Sequence, residues 1–305
     1  MLPPESSSLT PSSTPEPGSN PSKWAHYGDS FTASGYPAKE LSGLTGYTHI
    51  SAGVSGDTSM AGAFRAGALE LKVGFKDGLI PASEPALVTE MSTPSNPIAA
   101  NAWHYPCSIM GVKGYLMRDR KAKDTYFYRE FPGEDIQVES WNVVKLDPGT
   151  PTDVFTEGTR GRYSLIVGFG RNDIDTGVPG WQTVQNIQDI LNTNTTPGAR
   201  QFVWDVPPWT TDPSGSKSRE SVDELNSLLA QEFGEIFIRP IDWILQNPEE
   251  AFSVARASIT EQDEVDISNG VLPKSFRADD IGHMNDIGAR AWAHFVYQEI
   301  KKRGW

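Results

Sequence analysis

From Tyr163 to Lys302, short apolar runs alternate with amphipathic stretches, and this alternation constrains the fold more than any other feature of the chain. Tyr163 to Gly168 is a strongly apolar run, as a strand buried on both faces requires. Gln201 to Val206 and Glu235 to Ile238 read as further strands. Helix-period stretches lie among them: Thr183 to Leu191, with Val184, Ile187 and Leu191 on one face, and Ser218 to Phe233, with Val222, Leu225, Leu228 and Leu229. Pro240 is placed to open another helix. Asp286 to Lys302 is the clearest helix, with Ile287, Ala291, Phe295 and Ile300 broadly along one side. The N-terminal part starts the same way, with a strand ending at Gly28 and a β-like run from Tyr47 to Ser55. Met60 to Val73 follows as a helical segment that Asp57 or Thr58 can cap. Strands alternating with helices imply an α/β fold, a parallel sheet covered on both faces.

The alternation is interrupted once. From about Phe75 to Arg160 the helical period gives way to short β-like runs: Ala86 to Thr89, Cys107 to Met117, Thr125 to Phe131 and Ile136 to Leu146. We therefore expect an α/β domain of residues 23–74 and 161–305, with a β-rich subdomain of residues 75–160 inserted in it. The insert could line a cleft, carry an oligomer or carbohydrate contact, or only decorate the fold. Residues 1–22 are mostly Ser, Pro, Glu and Thr, a composition that cannot bury enough surface to offset its ordering entropy, so they read as a disordered leader or a tether.

Charge and cysteine content narrow the function. With 26 Lys and Arg against 39 Asp and Glu, the net charge is −13, which argues against a partner with a phosphate backbone. Apolar runs such as Leu165-Ile166-Val167 are far below the ~20 residues that span a bilayer. The single cysteine, Cys107, excludes an intrachain disulfide, a thiolate zinc cluster and a CxxC redox motif, and is expected to pack as a small hydrophobe. The other histidines, His26, His49, His104 and His294, form no cluster by spacing, so no metal or cofactor is expected. No basic stretch followed by an apolar one marks a secretory signal near the N-terminus, and the compartment stays open.

In a doubly wound sheet, ligands bind beyond the carboxyl ends of the strands. Gly28-Asp29-Ser30, Ser55-Gly56-Asp57 and Gly170-Arg171-Asn172-Asp173 sit at such ends, and Asp279-Asp280-Ile281-Gly282-His283 precedes the last helix. These are the parts of a serine hydrolase. A serine hydroxyl is a weak nucleophile until a base takes its proton. His283 can be that base for Ser30, with Asp280 to hold its tautomer. A tetrahedral oxyanion needs donors, which the N–H groups of Ser30 and Gly56 and the amide of Asn172 could supply.

The four blocks, in this order, resemble those of the SGNH or GDSL-type hydrolases, a family of esterases, lipases, thioesterases and carbohydrate deacetylases. Val54-Ser55-Gly56-Asp57-Thr58-Ser59 is similar to the second block of bacterial thioesterase and lysophospholipase members. The resemblance covers about residues 24–72 and 162–305. It implies a flavodoxin-like three-layer α/β/α sandwich with a parallel five-stranded sheet. It also implies Ser30 as nucleophile, His283 as base and Asp280, rather than Asp279, as the orienting acid, with Gly56 and Asn172 in the oxyanion hole. Three departures stand out: Ser51 where the family often has Asn, Met284 where Pro commonly follows the histidine, and the length of the insert. Similar β-rich insertions, and a similar Arg303-Gly304-Trp305 ending, occur in GDSL-type proteins of actinobacteria and their phages, which implies an extracellular or virion-associated esterase.

The expected substrate is a small ester or acylated glycan, with short acyl groups such as O-acetyl favoured. A lipase or acyl thioesterase of the same fold, and a catalytically idle carbohydrate-binding virion or envelope module, are the alternatives. Arg171, Trp204 and Trp209 are candidate substrate-cleft residues, against packing roles for each. Asp29 and Asp173 are expected to bond backbone N–H groups in tight turns, and His26 to pack in the core. Oligomeric state is not legible.

Overall fold

The computed structural model describes residues 23–94, 96–98, 104–119, 121–147, 163–195 and 198–305, so the expected leader 1–22 lies outside the described residues. The chain starts with β1 (Lys23–Gly28), α1 (Ser30–Ala33), α2 (Tyr36–Thr45), β2 (Thr48–Ser51) and α3 (Ser59–Arg65). A run of strands follows: β3 (Lys72–Phe75), β4 (Leu79–Ile80), β5 (Ala86–Met91), β6 (Tyr105–Ile109), β7 (Val112–Arg118), β8 (Thr125–Arg129), β9 (Ile136–Gln137) and β10 (Asn142–Leu146). Alternation resumes with β11 (Ser164–Gly168), α4 (Arg171–Thr176), α5 (Gly180–Asn192), β12 (Gln201–Trp204), α6 (Lys217–Phe233) and β13 (Phe237–Ile238). The last helices are α7 (Pro240–Gln246), α8 (Pro248–Ala255), α9 (Glu261–Ser268) and α10 (Asp286–Lys302).

Five parallel strands pair in the order β13-β12-β11-β1-β2. Counted along this sheet alone, that is the doubly wound order 2-1-3-4-5, whose switch point lies between its first and third strands. Those are β1 and β11, which end side by side at Gly28 and Gly168. Side chains alternate across the sheet with the period of the pleat. Trp24 of β1, Ile166 and Phe202 join Trp292 and Val296 of α10 on one face. Ala25, Tyr27, Leu165 and Val203 join Ile187 of α5 and Leu225 of α6 on the other. The result is the expected three-layer α/β/α arrangement, each face of the sheet covered by helices. Among the described residues, no helix is long and apolar enough to cross a membrane.

The remaining strands form a separate antiparallel region. Six of them close a barrel in the order β10-β3-β5-β8-β7-β6, filled by Val73, Phe75, Val88, Ile109, Leu116, Phe127 and Val144. Cys107 is buried among them, as expected, and burial pushes its thiol up to about 12. The strand β3 straddles the division expected at 74/75, since Val73 already pairs with Met91 and Asn142.

Several elements differ from the sequence reading. The helix expected over Met60 to Val73 ends at Arg65, because Gly67 takes φ +69° and closes a Schellman turn: Ala68 N–H donates to the carbonyl of Ala63, and Gly67 N–H to that of Phe64. The run Cys107 to Met117 is two strands, joined by Met110 and Gly111 at φ +53° and +81°, the left-handed pair of a tight hairpin. Ile136 to Leu146 likewise divides into β9 and β10, and the run from Tyr47 keeps strand geometry only over Thr48–Ser51. The helix α2 was not read from the sequence, although Pro37 in its first turn and Gly46 at its end mark it.

Candidate active site

Ser30 is the first residue of α1, directly beyond the carboxyl end of β1. The preceding Asp29 caps that short helix, its carboxylate accepting the N–H of Phe31 at 3.0 Å. Asp29 is buried, and desolvation raises its carboxyl to about 7, a rise to which the nearby Asp173 and Asp57 add.

His283 reaches Ser30 from the loop before α10. Its Nε2 is 2.7 Å from Ser30 Oγ, and its Nδ1 is 2.8 Å from Asp280 Oδ2. A carboxylate only accepts, so Nδ1 carries the proton and Nε2 is left to accept from the serine hydroxyl. Asp280 is itself fixed, because its Oδ1 accepts the backbone N–H groups of Gly282 and His283, both at 2.8 Å. Partial burial would raise this carboxyl, but those two N–H groups and the imidazole outweigh it and hold Asp280 below the usual carboxylate range. Asp279 points to solvent and, among the described residues, pairs with Lys274 at 2.8 Å.

Two further groups face the same space. Gly56 has φ +81° in a turn closed by Asp57 N–H donating to the Val54 carbonyl, a conformation that favours glycine. Asn172, in the first turn of α4, donates one amide N–H to the Asp57 carbonyl at 2.9 Å, which fixes the plane of the amide. An NH₂ group has two donors, so a second remains. Ser30, Gly56, Asn172 and His283 line one open cleft of about 500 Å³ with Ala33, Ser34, Tyr36, Ser55, Trp209, Ala278 and Met284. None of these described lining residues carries Asp, Glu, Lys or Arg character, and none comes from 75–160.

The structure divides the three residues expected at the substrate cleft. Trp209 does line it: the ring meets His283 edge-on at 5.1 Å and stacks on Phe31 at 5.5 Å. Gly282 passes directly under this indole, where a Cβ would collide with the ring. Trp204 does not line the cleft. It is buried in the core against Phe31 and Trp292, because β12 turns that residue inward over Gly168. Arg171 is also buried, paired with Asp212 at 2.6 Å and with Asp175, and its guanidinium lies 5.3 Å from the Trp209 ring centroid. Its fork supports Trp209 from behind, a role that sequence spacing alone does not reveal. Asp212 also accepts the Trp209 backbone N–H, at 2.9 Å, and went unnoticed in the sequence.

The structural carboxylates fall where the turns need them. Asp173 accepts the N–H and hydroxyl of Ser59 and the hydroxyl of Thr183. His26 packs in the core with its Nε2 3.0 Å from His49 Nδ1, and burial holds both imidazoles below the usual histidine range. Among the described residues, no group of His, Cys, Asp or Glu could hold a metal ion.

No protein-family model matches the chain. In sequence it is 25% identical over 299 residues to a tail spike protein of Salmonella phage epsilon15, which takes in 91% of this chain and 26% of that protein. The chain thus spans about a quarter of the length of this curated relative. Among solved structures, a GDSL-like lipase from Bacteroides thetaiotaomicron superposes with a TM-score of 0.44 at 10% identity, covering 92% of this chain and 89% of that one. A peptidoglycan O-acetylesterase superposes with a TM-score of 0.39 at 12% identity, covering 92% and 91%. The chain is thus similar in structure to GDSL-type ester hydrolases and in sequence to a phage tail spike.

Proposed function

We propose that the chain is a serine esterase that cleaves short acyl esters, such as O-acetyl groups on a carbohydrate, through an acyl-enzyme. The observation that carries this reading is the unbroken relay from Asp280 through His283 to Ser30, with contacts of 2.8 and 2.7 Å, at the mouth of an open cleft. His283 Nε2 takes the proton from Ser30 Oγ as the oxygen attacks the ester carbonyl. The carbonyl oxygen becomes an alkoxide that the N–H groups of Ser30 and Gly56 and the free donor of Asn172 receive. His283 then gives its proton to the departing alcohol. In the second half, His283 takes a proton from water as it attacks the acyl carbon, then returns that proton to Ser30 Oγ as the C–O bond breaks and the acid leaves. Ionised Asp280 holds the Nδ1 proton throughout and offsets the imidazolium charge.

The lining of the cleft supports an uncharged substrate. Ser34, Ser55 and Asn172 offer hydrogen bonds, while Ala33, Tyr36, Trp209, Ala278 and Met284 offer apolar contact. A short acyl group needs no more apolar surface than these residues provide. We read the α/β domain as residues 23–74 and 161–305 and the barrel as an insert of 75–160. The likeness to a tail spike favours a virion-associated setting.

The test is hydrolysis of p-nitrophenyl esters from acetate to palmitate, wild type beside Ser30→Ala. Turnover highest on acetate and lost in the variant is expected. A maximum at long chains would replace this reading with a lipase or thioesterase. Turnover that survives Ser30→Ala would remove Ser30 as the nucleophile, and no turnover by the wild type on any ester would leave a very selective enzyme or a binding module.

A further inference from the structure

We infer that Tyr105 of the barrel is a positioning residue for the oxyanion-binding loop, so that the barrel tunes hydrolysis without touching the substrate. The inference rests on the esterase reading above and concerns how its oxyanion donors are held.

Asp57 is the node through which both donors are set. Its backbone N–H closes the turn that keeps Gly56 at φ +81°, and its backbone carbonyl orients the Asn172 amide at 2.9 Å. Its side chain is fully buried and has two partners from two parts of the molecule. Oδ2 receives Arg65 Nε at 2.6 Å, and Oδ1 receives the Tyr105 hydroxyl at 2.7 Å. Arg65 also donates to the Ala52 carbonyl at 3.1 Å and to the Gly28 carbonyl at 3.2 Å, so it ties Asp57 to the end of β1, two residues before Ser30. Tyr105, on β6, has its ring buried in the barrel core beside Phe64, and sends only its hydroxyl out of that core.

The chemistry of the pair explains why the hydroxyl matters. A buried carboxylate needs each oxygen satisfied, since a buried acceptor left without a donor keeps its full desolvation penalty. If the Tyr105 hydroxyl is removed, Oδ1 has to find another donor. Arg65 on Oδ2 restrains the side-chain torsions, so the relief open to Asp57 includes a shift of its backbone, which would carry its carbonyl, and with it the Asn172 amide and the Gly56 turn. Oxyanion donors act only at hydrogen-bond distance from the developing charge, so small shifts are felt in the transition state and little in ground-state binding. None of the residues of the barrel lines the cleft among those described, so a loss of turnover cannot come from a lost substrate contact.

The experiment compares wild type, Tyr105→Phe and Val144→Ala. Val144 is a barrel-core residue paired with Ile109, at the far end of β6 from Tyr105. Active sites are counted by covalent titration with a fluorophosphonate, so kcat refers to folded, competent molecules only. Expected for Tyr105→Phe is a fall in kcat of roughly 10-fold, less than the ~10²–10³ for deleting a whole oxyanion donor, with KM within about twofold. Val144→Ala should lower the melting temperature and keep kcat. Equal kcat per active site in Tyr105→Phe and wild type would overturn the inference, as would an equal fall in Val144→Ala, which would mark a general effect of barrel stability. A rise in KM at constant kcat would also overturn it. Wild type without Ser30-dependent turnover would remove the esterase reading first and the inference with it; the wild-type arm separates the two failures.

Discussion

The two regions treat buried charge differently. Around the parallel sheet the chain hides Asp29, Asp57, Arg65, Arg171, Asp173 and Asp205 from water. Inside the barrel, among the described residues, the buried polar groups are the neutral Thr125 and Asn142. A charge out of water costs several kcal/mol unless it is paired, so such groups accumulate only where a geometry must be held against alternatives. Here they hold turns. Asp29 caps the helix of Ser30, Asp57 with Arg65 holds the Gly56 turn, and Asp173 ties α3 to α5. Among the described residues, carboxylates that hold turns in the barrel region, such as Asp119 accepting the N–H groups of Lys121 and Ala122, lie in solvent, and the barrel interior is filled with hydrocarbon and aromatic rings. One region is built for placement and the other for bulk stability, which makes them separable by experiment.

The largest separation should come from the relay. His283→Ala is expected to lower kcat by ~10⁶, and Asp280→Asn by ~10⁴, both without a change in melting temperature. Stopped-flow or steady-state rates beside differential scanning calorimetry would show it; a large drop in melting temperature would mean that the relay also holds the fold. Next, Asn172→Ala should cost ~10²–10³ in kcat, read as a loss in kcat with KM nearly kept. An unchanged kcat would remove Asn172 from the oxyanion hole.

The opposite behaviour is expected of the barrel core away from Tyr105. Phe75→Ala should cost about 3–5 kcal/mol in urea unfolding, while kcat per titrated site stays within about twofold. If that variant lost activity without losing stability, the contrast between the regions would collapse. The smallest effect is in pH. Asp29 titrates near 7 when folded and near 3.8 unfolded, so between those values the folded state binds more protons. Its contribution to stability is therefore lost as pH rises from 3.8 towards 7. Asp29→Asn removes that loss, and should raise the melting temperature relative to wild type by ~2 °C or more at pH 8 but not at pH 4. Parallel melting curves for both proteins across that range would be the check.

How much could be read in advance follows the same division. Ser30, Gly56 and Asn172 could be singled out because each lies in a short polar segment after an apolar run, and His283 because it stands in a polar loop just ahead of a clear helix. Asp280 could be told from Asp279 only by resemblance; the structure separates them by the Gly282 and His283 N–H groups that Asp280 accepts. Trp204 and Arg171 were harder. Whether a residue at or just past the end of a strand faces cleft or core depends on partners far along the chain, Trp292 for one and Asp212 for the other. The early stop of α3 was signalled by Gly67, but Ala68 and Leu69 continue a helix-compatible composition past it. The hairpin between β6 and β7 was hidden because Met110 occupies a left-handed position that Asn, Asp or Gly usually marks. Tyr105 could not be read at all as a partner of Asp57, since nothing in a strand residue's neighbours tells where its hydroxyl goes.

The contact between His283 and Ser30 joins residues 253 positions apart. The proposed nucleophile and its base therefore meet only when β1 and the loop ahead of α10 have both found their places against the sheet. A probe that reacts with an activated Ser30 would thus report on long-range assembly of the chain as well as on chemistry.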